Sequence, residues 1–403
     1  MLPRRRFLAG TLTAAAALPL VRAAGAQESS GAASVAPVPE GANRLEASPA
    51  RGAGAMELAH LADAPSTPTG LAIAPDGRVF VMMPRFSADV PFTLGEVPPD
   101  GSVVPYPDAE TNVPDPAKPQ ERLFHVPNGV FDPEGQLWVL DAGLPDGSGP
   151  PVAGAAKLLR IDIASGRTTR TVPLEPGIVP TSSLNDLRVD LARGRAFVTD
   201  QGQDGAGAIL AVDLSNDRVV RRLDGHASTK SQEKLVKFVE HRPVMRTQGS
   251  GPPRFVKGGA NGIALGPGGT RLYYAPLIGR HLYAVDAASL VDPEVSDAEV
   301  AAGVEDLGEK GMTGGLACDA EDRVYLTLQE QNAVGRRMPD GMIEVIGFDP
   351  RLVWADTMVI TPDNWLYVSA AQVNRRPEYN AGKDLQKPPY AVLRIRIDAG
   401  PAA

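Results

Sequence analysis

The sequence predicts an all-β chain folded as a six-bladed β-propeller, and three observations carry that prediction. The first is a pattern that recurs six times: a short apolar run, a tight turn of the Pro-Asp-Gly type, then a second run rich in β-branched and aromatic residues. Such a pair of runs is a hairpin signature. The second is spacing. The turn positions Pro75, Pro133, Leu191, Pro267, Ala320 and Pro362 lie 58, 58, 76, 53 and 42 residues apart, the last being the length of a four-stranded blade and the others leaving room for loops. The third is composition: 42 Gly and 38 Pro among 403 residues call for many turns, and 43% apolar residues can fill a large core. Parallel α/β folds need helical crossovers, and few amphipathic stretches of that length are present.

Taken from the N-terminus, residues 1–26 read as an address. Arg4 and Arg5 precede Phe7-Leu8, an Ala-rich stretch and Ala24-Gly25-Ala26, an arrangement that resembles a twin-arginine signal peptide and implies a periplasmic or secreted product. Residues 27–55 are small, polar and Pro-rich, and read as a flexible linker. The propeller then occupies residues 56–398. No later run reaches the roughly 18 consecutive apolar residues of a membrane span. Net charge is −8, and removing the four Arg of residues 1–26 takes it to −8 − 4 = −12, which disfavours nucleic acid as a partner. The single cysteine, Cys318, excludes an internal disulfide and a cysteine-based metal centre and reads as a small buried side chain. The expected partner is a small molecule and the expected state a monomer.

The blades open in turn at "TGLAIAPDGRVFVMMPR" from Thr69, "NGVFDPEGQLWVLDAG" from Asn128, "NDLRVDLARGRAFVTDQG" from Asn185, "NGIALGPGGTRLYYAPL" from Asn261, "GGLACDAEDRVYLTLQE" from Gly314 and "DTMVITPDNWLYVSAAQ" from Asp356. In a propeller the first strand of each blade lines the central channel, so the residue that opens it stands at one mouth. Hairpin return brings Asp141 near Asn128 and Asp200 near Asn185. These polar groups have two interpretations. Asn, Asp and Thr at a strand entry can bond local backbone in Asx-type turns with no ligand involved. Alternatively Asn128, Asp141, Asn185, Asn261 and Asp356 bind a ligand, with Asn185, Asn261 and Asp356 as oxygen donors for a hard cation such as Ca²⁺. Asp356 is the one acid in register, and Asp186 lies one residue off. Any catalytic base must come from Asp186, Asp200 or Asp356.

The stretches "VFVMMPRFSADVPFTLGEV" (79–97), "LWVLDAG" (137–143), "SSLNDLRVD" (182–190) and "GIALGPGGTRLYYAPLIGRHLYAVDAASL" (262–290) resemble the major royal jelly protein and insect yellow family over roughly residues 70–375. The resemblance implies a six-bladed propeller, and functions that range from melanin-pathway (dopachrome) tautomerisation to amine binding in the channel and secreted nutritive roles. A weaker resemblance runs to gluconolactonase and regucalcin-like propellers, which hold a divalent cation with a Glu, two Asn and an Asp. It implies amide ligands at Asn185 and Asn261 and a carboxylate at Asp356. Thr69 and Gly314 replace that family's Glu and Asp, which argues against lactone hydrolysis.

Other chemistry is sparse. His60, His125, His226, His241 and His281 are scattered singly, without the paired spacing of a zinc site, and there is neither a nucleotide-binding glycine motif in context nor a nucleophile elbow. The basic insertion at 225–258 reads as a solvated loop in preference to a lid. Phe86, Trp138, Tyr273, Tyr274, Trp354 and Tyr390 are the aromatics near strand ends, of which one or two are expected at a ligand.

Overall fold

The computed structural model describes residues 54–247 and 251–402. Residues 1–26, which the sequence reads as an export signal, and nearly all of the expected linker therefore lie outside the described residues. Among the described residues, no helix is long and apolar enough to cross a membrane.

Six sheets form the blades, each with four antiparallel strands that follow one another in the chain in blades one to five. Blade one comprises Gly70–Ile73, Val79–Met82, Leu94–Val97 and Val104–Pro105; blade two, Asn128–Phe131, Leu137–Asp141, Lys157–Asp162 and Arg167–Pro173. Blade three comprises Leu184–Asp190, Arg195–Asp200, Ala208–Asp213 and Arg218–Arg222; blade four, Ala260–Leu265, Arg271–Pro276, His281–Asp286 and Glu305–Glu309. Blade five comprises Leu316–Cys318, Val324–Leu328, Ala333–Arg337 and Ile343–Phe348. Each opening strand touches the opening strands of both neighbouring blades, and the last touches the first, so the ring closes.

Blade six is the exception in chain order. Ala355–Ile360, Trp365–Ala370 and Tyr390–Arg396 supply its inner strands, and Glu57–Ala62 from the other end of the chain supplies the outermost. Glu57 faces Arg394 and Ala62 faces Tyr390 across that antiparallel pair. Gly54 and Ala55, which fall inside the linker on sequence grounds, pair in parallel with Gly347 and Phe348 at the edge of blade five. Both pairings cover edges that would otherwise expose a row of backbone donors and acceptors.

The core lies between blades. Alternate residues on each sheet face pack against the next sheet, as where Trp138, Leu140 and Leu158 of blade two meet Leu187, Ala196 and Val198 of blade three. Cys318 sits in the contact between blades four and five, and burial pushes its thiol up, which suits an inert filler.

His125 is buried between blades one and two with Nδ1 3.2 Å from the Arg85 carbonyl. Burial pulls its pKa from 6.5 down to about 4, against the opposing charge of Asp141. The folded state thus holds the ring neutral while the unfolded chain protonates it below pH 6.5. This stability is present above pH 6.5 and lost as pH falls towards 4, by about 3 kcal/mol at the acid end. Melting curves between pH 7 and 4 are expected to fall more steeply for the parent than for His125→Asn.

Candidate functional site

Three opening strands begin with a bulge. The register slips between Leu184 and Leu187 in blade three, between Ala260 and Gly262 in blade four, and between Ala355 and Met358 in blade six. The extra residues are Asn185–Asp186, Asn261, and Asp356–Thr357, so the sheet leaves unpaired the positions where polar side chains enter the channel. Hydroxyls on the second strands hold the strand entries in place. Thr199 Oγ1 accepts from Asp186 N at 3.1 Å and donates to the Asn261 carbonyl of the next blade at 2.7 Å. Ser369 Oγ accepts from Thr357 N and donates to the Thr69 carbonyl, both at 3.1 Å. Thr327 Oγ1 accepts from the backbone N–H groups of Gly314 and Gly315.

Not all candidate residues share this mouth. Asp141 is fully buried and turned back into blade two: its oxygens accept from the N–H groups of Phe124, His125 and Gly143 and from Lys157 Nζ. Asp200 likewise accepts from Ser183 N, Gly202 N and Arg221 Nη1. The hairpin returns them to the expected height, but both carboxylates are consumed by loop closure and an ion pair. Asn128, Asp186, Asn261 and Asp356 stand instead where the opening strands enter the channel. Asn128 Nδ2 donates to Asp186 Oδ1 at 2.6 Å, joining blades two and three. Asn185, half-buried, lies in the same bulge. Asp186 Oδ1 also accepts from Arg188 Nη1 at 2.8 Å, and Arg188 Nη2 reaches across to the Leu316 carbonyl of blade five at 2.7 Å, laying a charged floor below the mouth. Asn261 donates weakly to Gln201 Oε1 at 3.4 Å, while its own Oδ1 is buried without any hydrogen-bond partner.

Asp356 completes the mouth from blade six, half-buried beside residues that sequence reasoning missed. A Cβ added at Gly314 would lie 2.4 Å from Gln329 Nε2 and 3.2 Å from Asp356 Oδ1, so the glycine is what admits both groups. Gln329 Nε2 donates to the Ala355 carbonyl at 2.8 Å, and its Oε1 accepts from Lys237 Nζ. Lys237 belongs to the 225–258 insertion. That segment is no solvated loop: Val239, Val244 and Val256 are buried with Ile278, Met312, Val353 and Trp354, and Glu240 pairs with Arg375 at 2.5 Å. The Lys237 ammonium position lies 4.5 Å from the Trp354 ring centroid. Trp354 itself holds φ of 54°, a left-handed conformation that a bulky residue adopts only under constraint. A basic insertion with several lysines carried no motif that marked one of them; burial alone distinguishes Lys237.

The electrostatics follow from burial. Burial pushes Asp356 up to about 7; the charge of Lys237 opposes the shift and that of Asp186 adds to it. Burial pulls Lys237 down to about 7 against the carboxylates Asp356 and Glu330. Asp186 is raised by burial, with Arg188 opposing. Among the six aromatics, Trp354 alone borders this cluster: Trp138 and Tyr273 bond Asp132 and Asp322, Tyr274 bonds Ser228, Phe86 lies under the Arg376 guanidinium, and Tyr390 packs in the core between blades six and one.

With the mouth defined, the comparisons with known proteins fall into place. The sequence profile described as major royal jelly protein matches residues 130–377, more than half of the chain. The chain belongs to the major royal jelly protein family. Major royal jelly protein 3 of Apis mellifera is 25% identical over 185 residues, 44% of this chain, and the match spans 30% of that relative's length. Solved structures with this fold include a calcium-binding regucalcin from Agrobacterium tumefaciens, 16% identical with a TM-score of 0.51 over 85% of this chain and 95% of that one. A putative gluconolactonase is 12% identical, TM-score 0.52, over 86% and 93% of the two chains. A gluconolactonase from Xanthomonas campestris is 13% identical, TM-score 0.50, over 88% and 98%. At these identities the structural likeness concerns the propeller alone. Royal jelly family membership and the blade count read from the sequence therefore agree.

Asn185, Asn261 and Asp356 are the donors expected for Ca²⁺ on sequence grounds, and their surroundings test that fit. Asn261 Oδ1 is a free oxygen of the required type. Against it, Asp186 is engaged by Arg188 and Asn128, and an amine stands beside Asp356 where a cation would need the carboxylate. Among the described residues no group of three or more His, Cys, Asp or Glu comes together. Ca²⁺ favours six to eight oxygens with several carboxylates. The donor set does not suit a resident Ca²⁺ ion.

Proposed function

We propose that the chain is an exported propeller that binds a small polar or aromatic molecule at the channel mouth formed by Asn128, Asn185, Asn261 and Asp356. One observation carries the reading: Asn261 Oδ1 is buried at the mouth without a hydrogen-bond partner. A buried acceptor left unmade costs about 1–3 kcal/mol, and a ligand N–H or O–H removes that cost. Asp356 adds a second acceptor, or a donor when protonated, and Trp354 supplies an apolar edge. Catechol amines carry hydroxyl and ammonium donors that match this set. Export rests on the twin-arginine pattern of Arg4 and Arg5.

The second reading is catalytic, a hydrolase of the gluconolactonase type or a tautomerase, and with a donor set that does not suit Ca²⁺ it rests on proton transfer and not on the metal assistance that the gluconolactonase resemblance implies. With Asp200 and Asp186 held by arginines, Asp356 is the carboxyl left to move a proton, and its pKa near 7 fits that work. Calorimetric titration with dopamine and with Ca²⁺, alongside turnover of glucono-1,5-lactone, distinguishes the readings. Dopamine binding that weakens roughly tenfold in Asn261→Leu is expected, in line with the loss of one good hydrogen bond. Lactone turnover would replace the binding reading by the catalytic one, metal-assisted if Ca²⁺ heat accompanies it.

A further inference from the structure

The three buried lysines of this propeller are not alike. Lys157 Nζ donates to four acceptors: the carbonyls of Pro119, Arg122 and Ala155 and the Asp141 carboxylate at 2.8 Å. Lys310 Nζ reaches the carbonyls of Gly279 and Gly311. Lys237, 1% exposed, has the amide oxygen of Gln329 and the face of Trp354. An ammonium has three protons to place, and the Lys157 environment shows how this fold satisfies one when the role is structural. A neutral amine needs far less, and its lone pair is free. Gln329 links the amine to the acid: its Oε1 accepts from Lys237 Nζ, and its Nε2 flanks Gly314 together with the Oδ1 of the half-buried Asp356.

From this accounting we propose that Lys237 is a nucleophilic amine that captures a hydroxylated aldehyde or ketone at the channel mouth as an imine, with Asp356 as the proton donor. The proposal deepens the binding reading, since ligand hydroxyls would donate to Asn261 Oδ1 while the carbonyl meets the amine. The Nζ lone pair attacks the carbonyl carbon, forming the C–N bond, and a proton passes from nitrogen to the former carbonyl oxygen. The Asp356 carboxyl gives its proton to that hydroxyl, which leaves as water as the nitrogen lone pair forms the C=N bond. The products are a protonated imine, a carboxylate beside it and one water. No oxidant or reductant is needed. Burial supports the same roles, since it favours the uncharged form of both partners near neutral pH.

The test is reductive trapping of the whole protein with D-glyceraldehyde and cyanoborohydride at pH 7, followed by peptide mapping. Lys237 is expected to be the most heavily modified lysine although it is among the least exposed, with Lys157 unmodified. Asp356→Asn is expected to slow trapping at Lys237 on the order of 100-fold and leave surface lysines unchanged. Lys237→Met, which keeps the buried volume, should abolish that adduct alone. Modification that follows solvent exposure and spares Lys237 would overturn the proposal, and a rate at Lys237 untouched by Asp356→Asn would overturn the role of the acid. Dopamine titration on the same preparation separates the failures: binding without trapping removes only the covalent step, whereas loss of both removes the mouth as a ligand site.

Discussion

A chain shortened to begin at Asp63 is expected to lose cooperative unfolding altogether. Glu57–Ala62 is the fourth strand of blade six, and it is the segment through which one end of the chain closes the ring on the other. Without it, Tyr390–Arg396 becomes an open edge, and Leu58 and Leu61 no longer cover the cluster that includes Leu366, Leu393 and Ile395. An exposed strand edge beside uncovered apolar residues favours association with other chains over folding. A chain that begins at Gly54 keeps the strand and should melt as the parent does. Scanning calorimetry of the two truncations compares them, and equal transitions would show that the ring closes without its terminal strand.

Asp141→Ala is expected to be among the most damaging single changes. The carboxylate accepts three backbone N–H groups and neutralises Lys157, which is itself fully buried. Removing one partner of such a pair leaves an uncompensated charge and costs about 3–5 kcal/mol, a fall in Tm on the order of 10 °C. Asp356→Asn should behave oppositely. Burial disfavours the Asp356 charge, so the amide is expected to match or slightly exceed the parent in stability while losing function. The pair of variants separates carboxylates that build the fold from the one held at a cost in the channel.

That division could not be read from the sequence. Asp141 and Asp356 both occupy blade ends on one face, and position within the repeat correctly gave their height. Which way a side chain turns at that height depends on loops: the N–H groups of Phe124, His125 and Gly143 draw Asp141 back into blade two, while a bulge pushes Asp356 forward. The blades themselves were legible because hairpin turns and alternating apolar residues are local signals. So was the row of bulge residues Asn185, Asn261 and Asp356, since each follows directly from the repeat. Lys237 was hidden for the converse reason. It sits outside the repeat, in an insertion whose valines pack beneath it, and its chemistry arises from contacts with Gln329 and Trp354, some 90 or more residues away in sequence. The hydroxyls Thr199, Thr327 and Ser369 did carry a readable signal, each recurring near the end of a second strand, where it accepts from the backbone at the start of the opening strand.

The most direct measurement is a crystal soak with dopamine and, in parallel, with D-glyceraldehyde, read at the channel mouth. The expected result is ligand density with an N–H or O–H within hydrogen-bond distance of Asn261 Oδ1 and a second contact to Asp356. Ordered water alone bonded to Asn261 Oδ1, with the mouth unchanged in both soaks, would contradict the assignment of this mouth as a ligand site.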